Sequence, residues 1–233
     1  MTNEPKPKTD GSGRMFDAIA TRYDLLNRLI SLGLDKGWRR QLESQMPADG
    51  RILDAATGTA DVAISMAERA GGRRVVGLDP SAQMLRVAAK KLESRSLTGQ
   101  VDLMEGDAQR MNFDDDSFCG ATMAFGIRNV PDRLQALREL KRVVAPGGPV
   151  AILELAEPSS GWLAPFARFH MHHVVPMLGA LLSGRREYRY LQTSVSAFPP
   201  PEDFMKLMGS AGLRDLAVTR LSFGVAHLYL GHV

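Results

Sequence analysis

Three aspartates close short apolar runs: Asp54 after Arg51-Ile52-Leu53, Asp79 after Val75-Val76-Gly77-Leu78, and Asp107, with Ala108, after Val101-Asp102-Leu103-Met104-Glu105-Gly106. The first run leads into Thr57-Gly58-Thr59, and Asp79 stands 21 residues beyond Gly58. At that spacing an acidic side chain reaches the hydroxyls of a ribose held against a glycine turn. A lone glycine turn is weak support for such a site. Three carboxylates on the same edge of one sheet are much more specific, and they define an expected nucleoside site of Asp54, Gly58, Thr59, Asp79, Asp107 and Ala108.

Charge indicates which nucleoside. A dinucleotide brings an anionic pyrophosphate to the first helix N-terminus and needs several glycines for close backbone approach. This turn has a single glycine and is bracketed by Asp54 and Asp61. S-adenosylmethionine has no phosphate and carries a sulfonium and an ammonium, which carboxylates attract. It is therefore the expected cofactor. The plainer alternative makes Asp54 a strand-end residue and Asp61 a helix-start residue favourable to the dipole.

The elements that must position these residues follow from periodicity. From Met15 to Met46 apolar residues recur at helical steps, and Gly33 divides two helices, the second carrying Trp38 and Leu42. Strands are expected at 51–54, 75–79, 101–104, 118–125 and 150–155, alternating with helices at 61–69, from Ser81 as N-cap to about 93, and 132–144. A helix at 201–211 and an antiparallel strand pair at 216–221 and 225–230 end the chain. This alternation implies an α/β, Rossmann-like fold: a mostly parallel sheet flanked by helices, with an antiparallel C-terminal strand pair. Residues 1–13 are expected to be a disordered tail and 14–233 a single domain, with 161–190 a helical insertion.

Composition sets the bounds. The 233 residues are 44% hydrophobic, and 29 basic against 26 acidic side chains leave a net charge of only +3, which does not suggest a nucleic-acid binder. No run of about 18 apolar residues without charges occurs, so no spanning helix is expected. The single cysteine, Cys119, is read as a small buried strand residue. His170, His172 and His173 share a stretch, but only the first and last fall on one helical face, and no metal site is expected. Asp114-Asp115-Asp116 reads as a solvated turn.

Five stretches are more distinctive: MFDAIATRYDLLNRLISLGLDKGWR (15–39), ILDAATGTAD (52–61), FGIRNVPD (125–132), LKRVVAPGGPVAILEL (140–155) and YRYLQTSVSAFP (188–199). Together they resemble the ubiquinone/menaquinone biosynthesis C-methyltransferases, and the menaquinone branch most. Ala60 stands where many members of that family carry a further glycine. The resemblance implies that a donor methyl passes to a ring carbon of a polyprenylated naphthoquinol. Two alternatives remain: methylation of the benzoquinol of the ubiquinone pathway, and a non-catalytic donor-binding subunit of a quinone-synthesis complex.

The same resemblance gives Arg128 and Asn129 a catalytic part, on the loop after the fourth strand. There Arg128 would stabilise the quinolate as a fixed cation, directly or through a water. Otherwise Arg128 pairs with a core carboxylate and Asn129 caps the loop. Tyr23, Tyr188 and Tyr190 are expected to bind substrate as lid or pocket wall. The apolar segment 162–182 is expected to cover the prenyl tail and touch the membrane, or to form a contact in a homodimer. The implied location is cytoplasmic, peripheral at the inner face of the membrane.

Overall fold

The computed structural model describes residues 20, 24, 28, 31–69, 72–156 and 192–233. The N-terminal tail, Tyr23, Tyr188, Tyr190, the 161–190 insertion and its histidines lie outside the described residues.

Seven strands form one sheet in the order β3-β2-β1-β4-β5-β7-β6. They are β1 (Gly50–Ala55), β2 (Arg73–Asp79), β3 (Val101–Glu105), β4 (Gly120–Ala124), β5 (Pro149–Leu155), β6 (Arg214–Leu221) and β7 (Ala226–His232). The first five run parallel, and β7 is antiparallel to both β5 and β6. Helices among the described residues include α1 (Asp35–Glu43), α2 (Asp61–Glu68), α3 (Ala82–Ser94), α4 (Arg133–Val143) and α5 (Pro201–Ser210).

The expected strand and helix pattern is recovered throughout the described residues, because the central strands are buried on both faces and read as near-continuous apolar runs. Leu53, Val76 and Ile152 pack on one face with Leu137 and Leu140 of α4 and Phe204 of α5. Ile52, Val75 and Leu153 pack on the other with Leu42 of α1, Val62 of α2 and Ala88 of α3. The capping signals hold as well: Ser81 accepts from the Met84 amide and Asp132 from the Gln135 amide. Trp38, buried on α1, donates through Nε1 to Ser222 Oγ at 2.8 Å and so ties α1 to the turn between β6 and β7.

Two local readings are corrected. Cys119 is exposed, not buried: it lies one residue before β4, between the buried residues Phe118 and Gly120. Residues 126–129 are expected as a polar loop; of these, 127–129 form a 3₁₀ turn in which Ile127 and Arg128 are buried. Asp114–Asp116 is the exposed turn anticipated, with Asp115 pairing Arg142.

Candidate active site

β1 lies centrally, and chain order reverses between it and β4, so the carboxyl ends of these two strands open the crevice in which α/β sheets bind ligands. The turn after β1 is tightly coiled: Ala56, Gly58 and Ala60 all have positive φ, at 52°, 57° and 65°. Ala60, the N-cap of α2, therefore occupies a left-handed position that suits glycine better than alanine.

Asp54 points inward. It is 1% exposed, accepts from Thr57 Oγ1 at 2.6 Å and from Thr122 Oγ1 at 2.8 Å, and so clamps the turn to β4. Burial pushes its carboxyl up to about 6, against the opposing pull of these hydroxyls and of Arg39. Asp79, also buried, ends β2 and accepts from the Gly58 amide at 2.8 Å and the Ser81 amide at 2.9 Å. It thus joins the first turn to the start of α3. Gly77 lets β2 pass close below, since a Cβ there would sit 3.0 Å from the Thr57 side chain. Asp107 is exposed in a short turn beyond β3, where it accepts from the Gln109 amide at 2.8 Å, and Ala108 beside it is buried. The six expected nucleoside-site residues therefore lie together along the carboxyl edge of β1, β2 and β3.

A charged network joins this edge to the N-terminal part of the chain. Thr59 Oγ1 donates to Asp24 Oδ1 at 2.6 Å. Lys91 Nζ donates to Asp24 Oδ2 at 2.9 Å, to Thr59 Oγ1 at 3.2 Å and to Asp61 Oδ1. Arg39 on α1 stands 3.7 Å from Asp61 Oδ2 and 3.5 Å from Asp35 Oδ2, with its guanidinium 5.3 Å above the centre of the Phe125 ring. Burial raises the Asp61 carboxyl, but Arg39 and Lys91 together outweigh it and hold the group below the ordinary value. Asp61 thus spends its charge on two cations, and it does not bracket the turn as an unopposed anion. Asp24, Arg39 and Lys91 escaped the sequence reading: Lys91 has the local pattern of a helix-surface lysine, and its partners lie 67, 32 and 30 residues away.

After β4 the chain turns sharply. Phe125 has φ 58°, and Gly126 has no room for a side chain, because a Cβ would lie 2.6 Å from the Ala56 Cβ of the first turn. Arg128 Nη1 donates to Glu154 Oε1 at 2.5 Å and to the Phe125 carbonyl at 2.7 Å, while the Arg128 amide donates to Glu154 Oε2 at 3.1 Å. Both side chains of this ion pair are buried, at 7% and 0% exposure. The core-carboxylate pairing is thus the arrangement found for Arg128, and Asn129 Nδ2 reaches back to the Phe125 carbonyl at 3.5 Å. Glu154 was missed because it sits inside an apolar strand, 26 residues further along.

Among the described residues no cluster of potential metal ligands occurs, and no helix is long and apolar enough to cross a membrane.

Known proteins share this architecture and sequence. The chain is 46% identical to the demethylmenaquinone methyltransferase of Thermus thermophilus, covering 93% of this chain and 99% of the relative. Against the protein of the same name from Deinococcus radiodurans identity is 42%, with 99% of both chains covered. The ubiquinone/menaquinone biosynthesis C-methyltransferase UbiE of Syntrophotalea carbinolica is 41% identical over 99% of this chain and 97% of its own. A crystal structure from Thermotoga maritima, described as a SAM-dependent methyltransferase and possible histamine N-methyltransferase, shares the fold with a TM-score of 0.67 at 20% identity, covering 94% of this chain and 98% of that one. The ubiE/COQ5 methyltransferase family model matches residues 5–232, and the chain belongs to that family.

Proposed function

We propose that this enzyme transfers the methyl group of S-adenosylmethionine to a ring carbon of a polyprenylated demethylmenaquinol. The observation that carries the reading is the match, over nearly the whole of both chains, to relatives named for that reaction. The donor supplies a methyl on a sulfonium, and attack by a quinolate carbon neutralises charge, so a site that excludes water favours the reaction.

The residues present fit such a donor. Asp79, buried beside Gly58, offers a carboxylate to ribose hydroxyls, and Asp107 with Ala108 extends the same edge beyond β3. Thr59 is fixed by Asp24 and Lys91, and Asp54 shapes the turn from within. Carboxylates outnumber cations around the turn, which suits a ligand bearing two positive centres. On the acceptor side Arg128 and Asn129 keep a part, altered by Glu154. With its charge balanced, Arg128 anchors the Phe125–Asn129 turn against which the quinol is positioned, and enforced proximity is the main service such a reaction needs. Tyr23, Tyr188 and Tyr190 are assigned to the pocket wall, and segment 162–182 to the prenyl tail, a peripheral membrane contact or a homodimer contact.

The test is turnover of purified protein with methyl-labelled S-adenosylmethionine and a short-chain demethylmenaquinol. Label in a naphthoquinone gaining one methyl is the expected result. Label only in a benzoquinol would move the acceptor to the ubiquinone pathway. Binding of S-adenosylhomocysteine without turnover on either quinol would make the chain a non-catalytic subunit.

A further inference from the structure

We propose that Arg39 is the binding residue for the α-carboxylate of the methyl donor, a subsite formed by α1 at the β1 and β4 turns. The inference rests on the donor reading above and assigns the one anionic group of a ligand whose charged contacts in that reading are otherwise carboxylates.

Three observations converge on Arg39. The first is place. Asp107 and Ala108 lie beyond β3 and Asp79 ends β2, so a nucleoside on these residues occupies that side of the sheet. The amino-acid arm then extends over the next strands in order, β1 and β4. Arg39 is there, stacked on Phe125 just after β4 and 3.7 Å from Asp61 at the start of α2.

The second is unspent hydrogen-bonding capacity. A guanidinium carries five N–H groups in a fork that matches a carboxylate. Among the described residues the Arg39 side chain makes no hydrogen bond: its contacts with Asp35, through Nε, and with Asp61 are ion pairs at 3.5 Å and 3.7 Å, and the buried Nε has no hydrogen-bond partner. Yet the side chain is only 12% exposed, so water does not replace those bonds freely. A buried guanidinium held by charge alone is poised for an acceptor that the described residues do not supply.

The third is the state of the neighbouring cations. Lys91 already gives its three N–H groups to Asp24, Thr59 and Asp61. Arg128 is bound to Glu154 and the Phe125 carbonyl. Using Lys91 would break an existing bond and using Arg128 would disturb a buried pair whose charge is balanced, whereas among the described residues Arg39 has no hydrogen bond to break.

The proposal is tested by calorimetric titration of the full chain with two ligands that differ only in the carboxylate: S-adenosylhomocysteine and its decarboxylated form, S-adenosyl-3-thiopropylamine. The wild-type chain is expected to prefer the carboxylate-bearing ligand. Arg39→Met is expected to weaken S-adenosylhomocysteine by about tenfold to a hundredfold, while binding of the amine stays within about twofold or improves. Arg39→Lys, which keeps the charge without the fork, is expected to fall between. A purely structural Arg39 would lower both affinities together, and that result, or an undiminished preference in Arg39→Met, overturns the proposal. If the wild-type chain bound neither ligand, the methyl-donor reading itself would fail, a result distinct from the loss of discrimination alone.

Discussion

At the scale of single residues, the buried carboxylates carry the sharpest expectations. Asp79 collects two backbone amides, Gly58 and Ser81, at the point where the ribose is proposed to bind. Asp79→Ala is expected to abolish S-adenosylhomocysteine binding in a titration while the chain stays folded. Asp54 behaves differently, because its folded-state carboxyl is raised from 3.8 to about 6, chiefly by burial. The fold therefore holds the Asp54 proton more tightly than the unfolded chain does. That contribution is complete below about 3.8 and is lost as pH rises through about 6, by at most about 3 kcal/mol. Urea unfolding at pH 4 to 7 is expected to show Asp54→Asn gaining on the wild type across this window. A difference independent of pH would exclude the mechanism. Glu154 is a buried carboxylate paired with the Arg128 guanidinium. Arg128→Ala would strand that charge in the core, and a cost of about 3–5 kcal/mol is expected in denaturant titration, largely relieved by adding Glu154→Gln.

At the scale of elements, the two turns that frame the crevice lean on each other. Gly126→Ala would drive a Cβ into the Ala56 Cβ, and neither a glycine turn nor an alanine methyl has a flexible end that can yield. A loss of about 1–3 kcal/mol with weakened S-adenosylhomocysteine binding is expected. A variant as stable as the wild type would show that the turns move apart easily. Elements are also where the sequence was most legible. Parallel strands buried on two faces, Ser81 and Asp132 at helix starts, and aspartates at strand ends are all local signals. The missed charge pairs share one cause, which is partners distant along the chain. Nothing near Arg128 indicates that Glu154 will lie beneath it, and nothing near Lys91 indicates Asp24. Cys119 was misplaced because periodicity treated residues 118–125 as evenly covered, while the lead-in to β4 is covered on one side only. Ala60 shows the reverse case: its departure from glycine, visible in the sequence, marks a strained left-handed residue.

At the scale of the whole molecule, Asp24 and α1 close over an edge built by β1 to β4, so donor binding and folding should be linked. A ligand that binds only the folded chain, held at a hundred times its dissociation constant, adds about 2.7 kcal/mol. The unfolding midpoint with S-adenosylhomocysteine is expected to rise accordingly in the wild type and to stay fixed in Asp79→Ala. The outer strand β6 is mostly exposed and carries Arg214, Asp215 and Arg220, charges that discourage another strand from adding to that edge.

The exposed Cys119 has a practical corollary. It is the only thiol in the chain, and it precedes β4, on the amino edge of the sheet and away from the carboxyl-edge crevice. One fluorophore or spin label attached there would report on approach to a lipid vesicle or to a second copy of the chain, without a competing thiol to block and without touching the residues proposed to bind the donor.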